Sequence, residues 1–283
     1  MTRILLQGFG FLGDLGFQSS VARKLHAEST GPLTVDFFLP LPQPLYVMQQ
    51  NPYIHQVFTV MPDVQSYDRV ITFGVVDQSM PATTQFQQTA NIENPSVEYE
   101  IYVVPDIDAT IADHMAALRT DRPLVAFQAN WAERTYLYSQ EHYEMGLEQH
   151  QIITPDRDIM SVLTFLSDYM DLIEVGLPCG VSQFAPEALD PQLYVATAST
   201  IKACDWMIGG EGGLTNLAAG VGTRTIITTD FMWRQYGPDG HFKKLANPQL
   251  GPRVYFPDAG HVHLSPYLTD AEVAASILSA VCA

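Results

Sequence analysis

The stretch Cys204-Asp-Trp-Met-Ile-Gly-Gly-Glu-Gly-Gly-Leu-Thr-Asn-Leu-Ala-Ala-Gly220 constrains this chain more than any other. Trp206, Met207 and Ile208 read as the end of a buried strand. Gly209 to Gly213 form a tight turn with one carboxylate, Glu211, at its centre. Leu214, Leu217 and Ala218 then fall at helical spacing, so a helix starts there. Glycine lets the backbone approach a ligand with no Cβ in the way. A strand that feeds a glycine turn and a helix N-terminus is an anion site, because the first N–H groups lack partners and the helix dipole favours negative charge.

Strand and helix signals alternate on both sides of this block. Arg3–Gln7 is a short apolar run, and the glycines from Gly8 to Gly16 read as a turn. A helix is expected over Phe17–Glu28, with Val21, Ala22 and Leu25 on one face. Strands are expected over Thr34–Leu39, Val57–Val60 and Tyr67–Phe73. Residues 77–98 are polar and weakly patterned, and read either as a helix-containing insertion or as a mobile loop. Ile107–Leu118 has a helical apolar face, after which Thr120-Asp-Arg-Pro123 punctuates the chain. The alternation then repeats, with strands over Leu124–Phe127, Leu172–Val175, Trp206–Gly209, Arg224–Thr228 and Val254–Phe256. Helices are expected over Ile159–Met170, Thr197–Cys204 and Leu214–Gly220. A C-terminal helix starts at Thr269, with Glu272 placed for a capping box. Two consecutive arrays of this kind imply an α/β protein of two Rossmann-like, doubly wound domains facing across a cleft, 1–120 and 121–283.

Composition narrows the partners. Apolar residues make up 47% of the chain and charged residues 16%, which describes a globular core. The net charge is −17, with 4 lysines and 10 arginines, so nucleic acid and anionic lipid are disfavoured as partners. Cys179, Cys204 and Cys282 form no C-x-x-C pair and no disulfide framework, which suits a reducing compartment. The opening residues lack the apolar core of about 7–15 residues that a signal peptide carries. No apolar run reaches the ~18 residues of a transmembrane segment. The expectation is a cytoplasmic protein.

Several blocks resemble those of one family, in that family's order. They are the opening Arg3-Ile-Leu-Leu, the Gly13-Asp14-Leu15-Gly16 turn with the helix after it, and Asn51-Pro-Tyr-Ile followed by Val57. Pro123–Ala129 and Asp205–Ala219 complete the set. Together they resemble the GT-B glycosyltransferases of the heptosyltransferase type, glycosyltransferase family 9. That family's Asp-Ser-Gly reads here Glu211-Gly212-Gly213, and its histidine reads Asn216. Its His-Pro-Gly reads Gln128-Ala129-Asn130, and in place of its lysine the nearest cation is Arg134. The resemblance implies a GT-B fold, a nucleotide-sugar donor and an acceptor that is a glycan, a lipid-linked or a small molecule. It implies no cofactor and no catalytic metal.

The residues suggest roles for themselves as well. Asp14, beside Gly13, is a carboxylate at a turn. It suits either a general base for the acceptor hydroxyl or a simple helix cap, and the resemblance favours the base. Gly210, Glu211, Gly212, Gly213, Leu214, Thr215 and Asn216 are the candidate donor-binding set: backbone N–H groups and the Thr215 hydroxyl for a diphosphate, Glu211 for ribose hydroxyls. Arg134 follows a strand end, where an arginine either meets a leaving diphosphate or pairs with Glu133 or Glu141 on the surface. His261 and His263 share one face of an extended segment, but no third ligand has metal-site spacing. Phe231, Trp233 and Tyr236 suit either stacking on a sugar or base, or closing a loop over the core.

A glycosyltransferase is the leading reading. The alternatives are a non-catalytic binding or assembly protein of the same fold, a nucleotide-sugar epimerase, and a glycosyltransferase acting on modified DNA bases. The acidity of the chain disfavours the last.

Overall fold

A computed structural model of the protein describes residues 1–8, 12–39, 48–74, 80–128, 159–175, 191–210, 212–228, 235–236, 242–243, 260–264 and 268–283. The strands form two parallel α/β sheets and one small ladder. In the first sheet, β1 (Thr2–Gln7) lies between β2 (Leu33–Phe38) and β4 (Arg69–Thr72), and β3 (Gln56–Phe58) pairs with the outer side of β2. All three pairings are parallel, with Ile4 opposite Val35 and Arg69. Helix α1 (Leu12–Glu28) follows β1, and α2 (Ala82–Thr89) packs beside it. Ile4, Leu6, Val35, Phe37 and Ile71 project from one face of the sheet. They bury Leu15, Phe17 and Val21 of α1 and Phe86 of α2. These side chains are largely removed from water, worth about 1.5–3 kcal/mol each.

The second sheet contains β5 (Leu124–Phe127), β6 (Asp171–Glu174), β7 (Trp206–Gly209), β8 (Arg224–Ile227) and β11 (Val262–His263). Its order is β11-β8-β7-β5-β6, again all parallel. Helices cover both of its faces, as parallel sheets require. On one side, Leu124, Ala126 and Met207 meet α3 (Pro105–Leu118), α5 (Pro191–Lys202) and α6 (Gly213–Gly220). On the other, Val125, Trp206, Ile208 and Ile226 meet α4 (Ile159–Leu166) and α7 (Asp270–Val281). Helix α3 precedes residue 120, where the sequence places a boundary. Its buried Met115 nevertheless belongs to the core of the second sheet, and the helix lies along α5. Strands β9 (Gln235–Tyr236) and β10 (Phe242–Lys243) form a separate antiparallel pair.

One expectation changes, and one left open is decided. Helix α1 begins at Leu12, so Gly13, Asp14 and Gly16 lie inside its first turns rather than in a turn before Phe17. A glycine inside a helix costs up to about 1 kcal/mol against alanine. Here the helix extends because Leu15 and Phe17 are buried against β1 and β2, and because Gly16 meets a neighbour at close range. Residues 82–89 are helical and packed on α1, with Ala82, Thr83, Phe86 and Gln87 buried. Gln87 anchors this helix, donating through Nε2 to the Ser20 hydroxyl at 2.9 Å. The C-terminal helix has the capping box that its sequence carries. Thr269 Oγ1 accepts the Glu272 N–H at 3.3 Å, and a Glu272 carboxylate oxygen accepts the Thr269 N–H at 2.7 Å. The Thr269 N–H, and after it the Thr269 hydroxyl donating to the same carboxylate at 2.8 Å, hold the Glu272 carboxyl below its usual pKa. The expected strand over 254–256 lies outside the described residues.

Candidate functional site

Open parallel sheets bind ligands beyond the carboxyl ends of their strands, where the strand order reverses. In the second sheet that reversal falls between β5 and β7. Their ends carry Gln128 and Gly209-Gly210, and all three residues are buried. The Gln128 N–H donates to the Ile208 carbonyl at 3.0 Å. The Gly209 carbonyl accepts the Thr228 N–H at 3.0 Å and its hydroxyl at 3.2 Å. The ends of β5, β7 and β8 are thereby locked edge to edge. A Cβ on Gly209 would stand 3.1 Å from Thr215 Cγ2 and 3.3 Å from Met207 Cε, so a side chain there would push Thr215 of α6 back by a few tenths of an ångström.

The turn is braced from within by Thr215. Its hydroxyl accepts the Gly212 N–H at 3.1 Å. It lies 3.0 Å from the Gly210 carbonyl and 2.9 Å from that of Gly212, either of which can take its proton. Thr215 is fully buried. The hydroxyl, expected from the sequence at a diphosphate, here holds the turn in shape. The first helical bond of α6 runs from the Asn216 N–H to the Gly212 carbonyl at 3.0 Å. The N–H groups of Gly213, Leu214 and Thr215 therefore find no acceptor among the described residues, as the first turn of a helix leaves them. Asn216 is 7% exposed, and its Oδ1 has no hydrogen-bond partner among the described residues. The structure thus brings Gly210, Gly212, Gly213, Leu214, Thr215 and Asn216 into one glycine turn and helix start.

Gly13 and Asp14 sit on the other sheet, in the first turn of α1. Asp14 is half-buried and is the third residue of its helix, not the residue that caps it. Helices α1 and α6 each follow the carboxyl end of a strand, and they pack directly on one another. Glu211 and Arg134 lie outside the described residues, as do Phe231 and Trp233. Tyr236 pairs through β9 with Phe242. His261 Nδ1 is hydrogen-bonded to the Thr225 hydroxyl.

Among the described residues, the sequence reading missed Tyr99 and Ile101. Tyr99 donates its hydroxyl to the Asn216 carbonyl at 2.7 Å, and the Ile101 N–H donates to the Gly220 carbonyl at 2.8 Å. The available signal was the pair of glycines, Gly16 and Gly220, within otherwise helical patterns. Such glycines call for a packing reason.

Solved structures share this fold. E. coli ADP-heptose lipopolysaccharide heptosyltransferase II superposes with a TM-score of 0.60 at 11% identity, over 99% of this chain and 99% of that one. The chain has the fold of these transferases. The glycosyl transferase family 9 protein from Veillonella parvula superposes with a TM-score of 0.58 at 12% identity, covering 98% of this chain and 97% of that one. The dodecameric, iron-containing heptosyltransferase TibC, solved with ADP-D-β-D-heptose, gives 0.56 at 12% identity, over 99% of this chain and 76% of that one. No family model and no curated protein matches the sequence. Among the described residues, no helix is long and apolar enough to cross a membrane.

Proposed function

We propose that the chain is a glycosyltransferase that moves a sugar from a nucleoside diphosphate donor to an acceptor hydroxyl. The observation that carries this reading is the Thr215-braced glycine turn, which opens into α6 with three N–H groups left to donate to an anion. The fold shared with heptosyltransferase II, named for its ADP-heptose donor, and with TibC, solved with ADP-D-β-D-heptose, supports the choice of donor class.

In the proposed step the acceptor oxygen bonds to the anomeric carbon as the bond from that carbon to the phosphate oxygen breaks. The bonding pair leaves with the diphosphate. The hydroxyl proton passes to the Asp14 carboxylate acting as base. Charge grows on the departing diphosphate. The N–H groups of Gly213, Leu214 and Thr215, the helix dipole and Arg134 stabilise it there, and such fixed dipoles supply the largest part of many enzymatic rate enhancements. Glu211 takes the ribose hydroxyls, and the Asn216 Oδ1 accepts a further hydrogen bond from the ligand. The acceptor, a glycan, a lipid-linked or a small molecule, lies on the side of Gly13 and Asp14. The step as read uses backbone N–H groups in place of a metal.

A non-catalytic binder of the same ligand is the second reading. It is favoured by the commitment of the Thr215 hydroxyl to the turn and by Gly212 standing where the family has serine.

Thermal unfolding in the presence of ADP, UDP, GDP and CDP tests the donor site that both readings share. A ligand at one hundred times its Kd adds about 2.7 kcal/mol to the folded state. At least one nucleotide raises Tm, and Gly213→Val abolishes the rise while the protein stays folded. No rise with any nucleotide, or an unchanged rise in the valine variant, overturns the assignment.

A further inference from the structure

The segment that leaves the first sheet is strapped along α1. The Glu28 carboxylate accepts the N–H groups of Glu93 and Asn94, each at 3.1 Å. Lys24 Nζ donates to the Asn94 carbonyl at 3.0 Å, and the Arg23 guanidinium pairs with Glu100 at 2.7 Å. The strap then passes between the two helices. Tyr99 meets Phe17 of α1 edge to face, with ring centroids 4.7 Å apart, and its hydroxyl reaches the Asn216 carbonyl of α6. It is packed against the cores of both sheets.

Both helices give way to it with glycine. A Cβ on Gly16 would lie 3.1 Å from Tyr99 Cε2 and 3.2 Å from Ile101 Cδ1. A Cβ on Gly220 would lie 2.9 Å from the same Tyr99 atom and 2.6 Å from Ile101 Cγ1. Glycine is a poor helix residue, yet one stands in each helix where the ring passes. At Gly220 the space is too small for a methyl group unless Ile101 shifts, and at Gly16 a methyl group would press Tyr99 and Ile101 back by a few tenths of an ångström.

We propose that Tyr99, seated between Gly16 and Gly220, is the joint that sets the orientation of α1 against α6. The ring is the spacer and Ile101 its backstop. The phenol hydroxyl and the Ile101 N–H pin the strap to α6, while Glu28, Lys24 and Arg23 pin it to α1. Tyr99 is thus a positioning residue: it touches no ligand and acts through the two helices whose first turns carry Asp14 and the anion site. Its bearing on transfer rests on the function proposed above. Its effect on orientation does not.

The experiment measures that orientation with no nucleotide present. Nitroxide labels go on the exposed Cys282 and on Thr30→Cys, one on each half, in a Cys179→Ser background. Pulsed dipolar spectroscopy then reads the distance distribution, and amide exchange confirms that β1 and β7 keep their protection. The parent gives one narrow distribution. Tyr99→Phe, which keeps the ring, gives the same peak. Tyr99→Ala broadens and shifts it, and Gly220→Ala shifts it because the new methyl displaces Ile101. If Tyr99→Ala does not melt cooperatively, Tyr99→Leu takes its place. Distributions for the Tyr99→Ala (or Leu) and Gly220→Ala proteins that superimpose on the parent overturn the proposal. So does a Tyr99→Phe protein displaced as far as Tyr99→Ala, since the ring would then not be the spacer. The ADP titration reports separately on the donor reading, so a protein that binds no nucleotide still decides the joint.

Discussion

The Tyr99 hydroxyl donates to the Asn216 carbonyl at 2.7 Å, tying the segment between the two sheets to the helix that opens from the glycine turn. The two residues are 117 positions apart in sequence. The same ring edge fills the space that side chains at Gly16 and Gly220 would otherwise take. Two α/β halves are thus joined through a tyrosine, two glycines and two hydrogen bonds to α6.

Gly220→Ala tests how tight that contact is. Alanine gains up to about 1 kcal/mol in helix propensity. Its Cβ, however, would lie 2.6 Å from Ile101 Cγ1, an atom near the base of a buried side chain that cannot swing clear. Overpacking of this kind costs about 1–3 kcal/mol, so the clash wins. Urea unfolding is expected to show a net loss of about 1–2 kcal/mol. At Gly31 a Cβ meets nothing within 4 Å, and Gly31→Ala is expected to be neutral or slightly stabilising.

Asp36 is the buried charge of the first sheet, 1% exposed on β2. Its carboxylate accepts from the Tyr67 hydroxyl at 2.8 Å, His55 Nδ1 at 3.0 Å and the Arg3 guanidinium at 3.3 Å, while Arg3 also lies 4.6 Å over the Tyr67 ring. Burial, then the Asp36 hydrogen bond and charge, push the Tyr67 phenol up to about 12. Asp36→Asn leaves Arg3 in place, which favours the phenolate. Spectrophotometric titration is expected to bring Tyr67 part of the way down, because burial, the largest cause of its rise, remains. Stability should fall by about 2 kcal/mol, less than for a fully buried pair because Arg3 is part-exposed. An unmoved Tyr67 titration would show that Asp36 is not its partner in solution.

Cys204 predicts a loss of stability in alkali. Burial, followed by the nearby Asp205, pushes its thiol up from 9.0 to about 12. Between these values the unfolded chain has released the thiol proton and the folded chain still holds it. The unfolded state then binds fewer protons, so stability falls as pH rises, by up to about 1.4 kcal/mol per pH unit, and is unaffected below about pH 8. Tyr67 acts in the same direction only from its ordinary value of 10.0 upward. Urea unfolding in reductant at about pH 8 and about pH 9.8 isolates the thiol. The parent is expected to lose more than Cys204→Ala over that interval. Equal losses would show that the thiol titrates alike in both states.

The strand–turn–helix at 206–220 was legible because its signals are local. An apolar run, a glycine cluster and helical spacing each span fewer than about ten residues, and each keeps its meaning in any fold. The capping box at Thr269 and Glu272 was legible for the same reason. The start of α1 was not. Gly13 and Gly16 are turn residues by propensity, and only the burial of Leu15 and Phe17 makes a helix of them. The role of the Thr215 hydroxyl depends on whether the turn folds back on its own helix, which spacing does not reveal. Tyr99 was the least accessible, since its partners lie in helices encoded at opposite ends of the chain. The candidate site was therefore readable as a turn with free donors. The contact that joins it to the other half was not.

Asp14 decides between the two readings of the site. It stands third in α1, where a carboxylate is favoured by the helix dipole but does not cap the helix from its usual place. Asp14→Asn keeps the size and most of the hydrogen bonding, and it removes the ability to take a proton at neutral pH. If Asp14 is the base, transfer from the nucleotide sugar that raises Tm should fall by roughly two to four orders of magnitude. The affinity for the nucleoside diphosphate, held on the other sheet, should stay within about twofold. The stability change should be a few tenths of a kcal/mol, the worth of one charge in the first turn of a helix. Single-turnover assays with labelled donor and calorimetry with the diphosphate measure the two quantities on the same preparation. Near-parental turnover by Asp14→Asn would remove Asp14 from the chemistry. Unchanged diphosphate binding with no turnover in parent or variant would favour the binding protein over the enzyme.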